Sequence, residues 1–299
     1  MGRLAFIFSG QGDQYPGMGK QFYETSPSAA ETFRMFEAIR PGTIAQCFQG
    51  TEAELKETAN TQPCLFAMEF AATALLQEKG IRPDAVAGFS LGEVTAATAA
   101  GVFDPETGFQ LVIKRGLLMQ AEAERQDTAM VAVLKLSGER ICQIAKDYPH
   151  VYPVNFNCPG QVSVCGSAEE MRDFSAAVKA AGGRALPLKV NGAFHSPFMH
   201  DAAKAFGEEL KKNSVYMPEI PLYSNLTAKP YDKDPAWLLS AQIENPVQWE
   251  LLIHNMISDG IDTFLEIGPG NTLTNMIKRI DPQVTALSVT DFLKENAIC

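Results

Sequence analysis

Apolar residues fall in short blocks, punctuated by glycine, proline and acid-containing turns, and strand-like blocks alternate with helix-like ones. Residues 4–8, LAFIF, form an unbroken apolar run that stops at Ser9-Gly10, which predicts a buried strand. A glycine-rich loop, GQGDQYPGMG, follows. Across residues 62–79, QPCLFAMEFAATALLQEK, apolar positions recur at helical spacing and end at Gly80, which predicts a helix. Residues 84–88 read as the next strand, and the Ala/Thr-rich stretch after Ser90 as a helix stopped by Gly101. Asp104-Pro105-Glu106 supplies an N-cap, a proline in the first turn and an early acid, so a long helix is expected from there to about residue 124. This alternation predicts an α/β domain with a mostly parallel sheet.

The middle of the chain changes rhythm. MVAVLKL (130–136) reads as a strand and GERICQIAKDY as a helix. VYPVNFN and QVSVCGS read as paired strands around Cys158-Pro159-Gly160. EEMRDFSAAVKAAGG is a helix ending in two glycines, and RALPLKV a last strand. The order β-α-β-β-α-β is that of a ferredoxin-like unit. The expected plan is a large α/β-hydrolase-like domain over residues 1–127 and 193–299, interrupted by a ferredoxin-like subdomain over 128–192. Near the end, GIDTFLEIGPGN predicts another strand and a tight turn.

Composition narrows the function classes. A chain of 299 residues, 46% of them apolar, can bury one large core, or a large one with a smaller partner. A net charge of −10 argues against a nucleic-acid partner, which calls for a basic face. The N-terminal apolar run is too short for a signal peptide or a membrane span, so a cytoplasmic protein without a membrane partner is expected. None of the six cysteines forms a CxxC pair, so no metal site is expected and free thiols are the simpler reading.

Candidate chemistry centres on GFSLG, residues 88–92, a G-x-S-x-G pattern with a strand before it and a helix after. A serine on that corner is exposed to an acyl group and surrounded by backbone N–H groups that can stabilise an oxyanion. The motif alone leaves Ser90 as either a nucleophile or a helix N-cap. A nucleophilic serine needs a base. Of the four histidines, His195 in NGAFHSPFMH lies where the chain leaves the small unit; His200 is the alternative, while His150 and His254 are expected in a loop and in mid-helix. The loop Gly10-Gln11-Gly12 fails the Walker A and G-x-G-x-x-G patterns. It is either a surface turn or a second oxyanion donor at Gln11. Arg115, in the apolar stretch LVIKRGLLMQ, needs a carboxylate partner, from the protein or from a substrate.

Taken together, IFSGQGDQYPGMG, TQPCLF, GFSLGE, KRGLLMQ, NFNCPGQVSVCG, GAFHSPFM, IPLYSNLTA, ENPVQWE and FLEIGPGNTLT resemble the malonyl-CoA:acyl carrier protein transacylases, from about residue 4 to residue 290. The resemblance implies ping-pong transfer of malonyl from malonyl-CoA to the phosphopantetheine thiol of a holo acyl carrier protein, for fatty-acid or polyketide synthesis, with no cofactor beyond the CoA substrate. It implies Ser90 as nucleophile, His195 as base, and Gln11 and Leu91 backbone N–H groups as the oxyanion hole. Arg115 would hold the malonyl carboxylate, and Gln62 would stand near the pocket. Phe194 would wall the acyl Cα, favouring an unbranched acyl group. Gln248, in NPVQW, would orient the histidine through its main-chain carbonyl, giving a Ser-His dyad. Phe89 departs from the family, which carries histidine there, and bears on acyl tolerance and hydrolysis. The rival reading is a serine hydrolase or thioesterase; α/β-hydrolases carry an acid between serine and histidine. A monomer is the default expectation. Carrier docking is expected at a basic patch drawn from Lys179, Arg184, Lys189, Lys204, Lys211 and Lys212.

Overall fold

A computed structural model describes residues 2–188 and 192–296. Its strands are β1 (Arg3–Phe8), β2 (Ala85–Gly88), β3 (Thr128–Leu134), β4 (Val151–Cys158), β5 (Gln161–Ser167), β6 (Arg184–Pro187), β7 (Leu222–Tyr223), β8 (Ile261–Ile267) and β9 (Thr285–Ser288). Five of them make a sheet in the order β7-β2-β1-β8-β9, with every neighbouring pair parallel. β1 sits at its centre. Phe6 and Phe8 enter the apolar cluster on one face, and Ala5 and Ile7 the cluster on the other. A strand buried on both faces has no polar alternation to show, which is why LAFIF reads as a continuous run.

The remaining strands form an antiparallel sheet, β4-β5-β3-β6. The helices Gly138–Ala145 and Ala168–Ala180 complete a β-α-β-β-α-β unit with its own core of Val133, Ile141, Val164 and Phe174. The hydrogen bonds that tie it to the rest of the chain include Phe156 N–H to the Val247 carbonyl (2.9 Å) and Val247 N–H to the Val154 carbonyl (2.8 Å). The last expected strand is described over Arg184–Pro187; Leu188 N–H donates to the Met130 carbonyl (2.9 Å), and Lys189 and Val190 lie outside the described residues, as does Cys299. The five described cysteines are free. No described helix is long and apolar enough to cross a membrane.

The Thr58–Glu78 helix starts four residues before the apolar pattern suggests and is buried almost all round, with Pro63 inside it. Its Glu69 is fully buried, takes a hydrogen bond from the Thr95 hydroxyl (2.7 Å), and its other oxygen, Oε1, has no partner among the described residues. Burial pushes this carboxyl well above its ordinary value. As pH rises past the ordinary carboxylate range, an unfolded chain releases that proton while the folded chain keeps it. Stability therefore falls with rising pH until the folded value is passed. Glu69→Gln is expected to flatten this decline in denaturant titrations between pH 5 and 8 (roughly the range of a raised carboxyl). Glu93 and Glu266, also raised by burial, account for the slope that remains.

Candidate active site

β2 ends at Gly88 and the Leu91–Ala99 helix begins three residues later, so Ser90 must turn the chain sharply. Its backbone has φ 54 and ψ −105, a strained conformation for any residue with a Cβ. The glycines on either side make the turn possible. A Cβ on Gly88 would lie 1.9 Å from the Gly92 carbonyl carbon, and one on Gly92 would lie 2.2 Å from the Phe8 carbonyl oxygen. The first helical turn thus rides directly on β1 and on the loop that follows it. Asn225 clamps the corner: its Oδ1 accepts from Ser90 N–H (2.7 Å) and its Nδ2 donates to the Gly88 carbonyl (2.6 Å).

His195 faces this corner. It too has a left-handed backbone, φ 63, held by its N–H donating to the Ile243 carbonyl (3.1 Å). Its Nδ1 lies 2.8 Å from the Gln242 carbonyl oxygen, which can only accept, so the proton sits on Nδ1. The bare Nε2 then accepts from Ser90 Oγ at 2.7 Å. Burial, then the nearby Arg115 charge, lower the imidazole to about 4, so it is neutral and able to take a proton at pH 7. The other histidines are elsewhere: His150 pairs with Glu170, His200 with Glu244, and His254 is exposed on the Trp249–Ser258 helix.

Arg115, on the Pro105–Glu124 helix, is fully buried. Its Nη1 donates to Gln62 Oε1 (2.9 Å), and its Nη2 to Gln242 Oε1 (2.8 Å) and Ser90 Oγ (3.2 Å). Its Nε has no acceptor among the described residues. No carboxylate forms a salt bridge with it among the described residues, so the guanidinium keeps an unfilled donor beside the serine hydroxyl. Burial lowers it to about 10, and it remains a cation at neutral pH.

Gln242 joins these parts. Besides the bonds to His195 and Arg115, its Nε2 donates to the Ser90 carbonyl (2.7 Å) and to Glu93 Oε2 (2.8 Å). Glu93, fully buried, also accepts from Tyr231 O–H (2.7 Å) and Asn225 N–H (3.2 Å). Gln242, Asn225, Glu93 and Tyr231 are functional neighbours the sequence reading did not single out. Asn225 and Glu93 lie in segments quoted for the resemblance and Gln242 two residues before one, but nothing local marks them.

One expectation is corrected. Gln248 does not orient His195; Gln242 does. Gln248 caps the Trp249–Ser258 helix, its carbonyl accepts from Leu252 N–H (2.9 Å) and its N–H donates to the Asn225 carbonyl (2.9 Å). A carbonyl committed to a helix is turned away from the dyad.

In front of the dyad is a cavity of about 280 Å³, whose wall includes Gln11, Phe89, Ser90, Met130, Phe194 and His195. A neighbouring cavity of about 290 Å³ shares Gln11, Gly12, Leu188 and Phe194 with it. Phe89 meets Trp249 edge to face at 5.4 Å. Gln11 reaches the Arg115 side of the site, since its Oε1 accepts from Gln62 Nε2 (3.3 Å). Gln11 and Leu91 backbone N–H groups have no protein acceptor among the described residues. Of the expected basic patch, Lys211 and Lys212 already pair with Glu208 and Glu209.

Residues 5–292 match the family model described as acyl transferase domain. The chain is 35% identical to the malonyl CoA-acyl carrier protein transacylase of Bacillus subtilis (strain 168), over 97% of this chain and 94% of the relative. Its fold superposes with a TM-score of 0.94 on the crystal structure of the Clostridium perfringens malonyl CoA-acyl carrier protein transacylase, at 33% identity, covering 99% of this chain and 98% of that one. It superposes at 0.92, with 34% identity and coverage of 98% and 100%, on the malonyl-transacylase of a complex with a type II polyketide acyl-carrier protein, PlMCAT:AntF. The chain belongs to the acyl transferase family, and its relatives there include malonyl CoA-acyl carrier protein transacylases.

Proposed function

We propose that the protein transfers malonyl from malonyl-CoA to the phosphopantetheine thiol of a holo acyl carrier protein, in fatty-acid or polyketide synthesis. The observation that carries this reading is Arg115: a fully buried cation, 3.2 Å from Ser90 Oγ, with its Nε unpartnered. Such a group suits an acyl unit that ends in a carboxylate.

Ser90 Oγ attacks the thioester carbonyl carbon while its proton passes to His195 Nε2. The oxyanion is met by the N–H groups of Gln11 and Leu91, the latter at a helix N-terminus. The C–S bond breaks, the imidazolium returns its proton to the CoA sulfur, and malonyl remains as an ester on Ser90. The carrier thiol then repeats the sequence in reverse, giving its proton to His195. The Gln242 carbonyl fixes the imidazole and stabilises its charged form, the role a carboxylate has in a triad. Arg115, steadied by Gln62 and Gln242, binds the free carboxylate. No step asks for a cofactor. The same reading divides the chain into a large domain, residues 1–127 and 193–299, and an inserted subdomain, 128–192, acting as a cytoplasmic monomer.

The discriminating experiment is incubation with malonyl-CoA with and without holo carrier protein. Malonyl should appear on the carrier, with little free malonate in either mixture. Free malonate released at the same rate in both would identify a thioesterase instead. Phe194, in the cavity wall beside His195, is expected to exclude an α-methyl branch. Phe194→Ala should raise methylmalonyl transfer relative to malonyl by about tenfold in a direct competition, the scale of one methyl group in a tight pocket.

A further inference from the structure

The mechanism leaves Glu93 without a role. It is a fully buried acid on the elbow helix, three residues after the nucleophile. Among the described residues no lysine or arginine forms a hydrogen bond or ion pair with it: its partners are Tyr231 O–H, Gln242 Nε2 and Asn225 N–H. The nearest cation is Arg115, on the far side of the Gln242 amide, whose two ends bond the two charges at 2.8 Å each. Glu93 is also the carboxylate whose field acts on Arg115. We propose that Glu93 is the counter-ion of Arg115 in the unloaded site, and that it takes up a proton from solvent when the carboxylate of a dicarboxylic acyl unit occupies Arg115.

The reasoning is electrostatic. An ionised Glu93 and Arg115 form a buried pair of no net charge, held one amide apart. Adding a substrate carboxylate leaves two anions on one cation in a dry site, a costly state. Protonating Glu93 restores neutrality, and its surroundings permit this. Its Oε1 faces the Tyr231 hydroxyl, which can rotate from donor to acceptor, while Oε2 keeps its bond from Gln242. Burial already raises Glu93 to about 7, so a further upward push from the substrate falls within the neutral range.

Arg115, Tyr231 and His195 around it do not titrate there. From the Pro105–Glu124 helix the charged group facing Glu93 is Arg115, at about 10. From the Thr58–Glu78 helix, Glu69 bonds Thr95, two residues on from Glu93 and so on the other side of the elbow helix, and burial pushes it well above its ordinary value; the Glu93→Gln control separates its protons from those of Glu93. From the loop after β7 comes Tyr231, raised well above its ordinary value. His195, reached through Gln242, lies at about 4. The inference deepens the malonyl reading above and rests on it.

Calorimetric titration with malonyl-CoA, in buffers of different ionisation enthalpy at about pH 7.5, tests it. Ser90→Ala is used so that binding is not followed by loading. Uptake of about half a proton per site is expected, for a group near 7 raised by about one unit. Acetyl-CoA, lacking the carboxylate, should give none, and neither should Ser90→Ala/Glu93→Gln with malonyl-CoA. Tyr231→Phe in the Ser90→Ala background removes a donor to the carboxylate, so the pH of greatest uptake should shift upward. The idea is overturned if Ser90→Ala takes up no proton, if the Glu93→Gln double variant takes up as much, or if Tyr231→Phe leaves the pH of uptake in place. If Ser90→Ala binds malonyl-CoA no better than acetyl-CoA at any pH, the malonyl reading itself fails, a result separate from tight binding without uptake.

Discussion

Arg115→Ala is expected to lower kcat/KM for malonyl loading by at least a hundredfold, while acetyl loading changes far less. The guanidinium is already desolvated, so a carboxylate that reaches it gains charge-assisted hydrogen bonds of about 1.5 to 3 kcal/mol each. A loss of roughly 3 kcal/mol is a little over a hundredfold. Acetyl has no carboxylate and makes no such contact, so the selectivity between the two should collapse. Arg115→Lys should recover little of it, since an ammonium cannot serve Gln62, Gln242 and the substrate in one plane. Parallel loading assays with the two thioesters check this; equal losses for both would assign Arg115 to the fold and not to selection.

His195→Ala is expected to slow loading of Ser90 by about 10⁴-fold or more, because the hydroxyl loses the only base within reach among the described residues. The wild-type pH profile offers a second check. The imidazole must be neutral to accept the serine proton. It is lowered to about 4 in the unloaded site, so kcat/KM for malonyl loading should fall on the acid side only near pH 4, well below the ordinary histidine range. The direction follows from the causes: burial penalises the imidazolium, and the Arg115 cation repels it. Stopped-flow loading across pH would show this limb, and an inflection near 6.5 would mean that His195 is solvated and not the base described here.

The sequence made the strand–serine–helix corner legible because its causes are local. An apolar run, two glycines and an Ala-rich helix occupy sixteen consecutive residues, from Ala85 to Ala100. His195 was legible through scarcity and position, as the histidine at the exit from the small unit. The histidine's own partner was not, and the choice of Gln248 over Gln242 shows why. The group required is a main-chain carbonyl, which every residue carries, so side-chain identity holds no signal for it. Only the helix beginning at Trp249, which claims the Gln248 carbonyl, decides between two glutamines six residues apart. Glu93, Asn225 and Tyr231 were missed for a related reason: they meet across 138 residues of chain, and burial without a charge partner has no local pattern. Of the edge strands, β7 was missed because two residues show no period, and β9, TALS, because it has no apolar run to mark it. The expected basic patch counted lysines without their neighbours, and two of them are paired along their own helix.

The central claim is a covalent malonyl ester on Ser90. Its most direct test is the intact mass of the protein after brief exposure to malonyl-CoA without a carrier, followed by mapping of the modified peptide. The wild-type chain should gain one malonyl unit on the peptide containing Ser90, and Ser90→Ala should gain none. A Ser90→Ala chain that loads as fully as wild type, or an adduct on any other residue, would contradict the account.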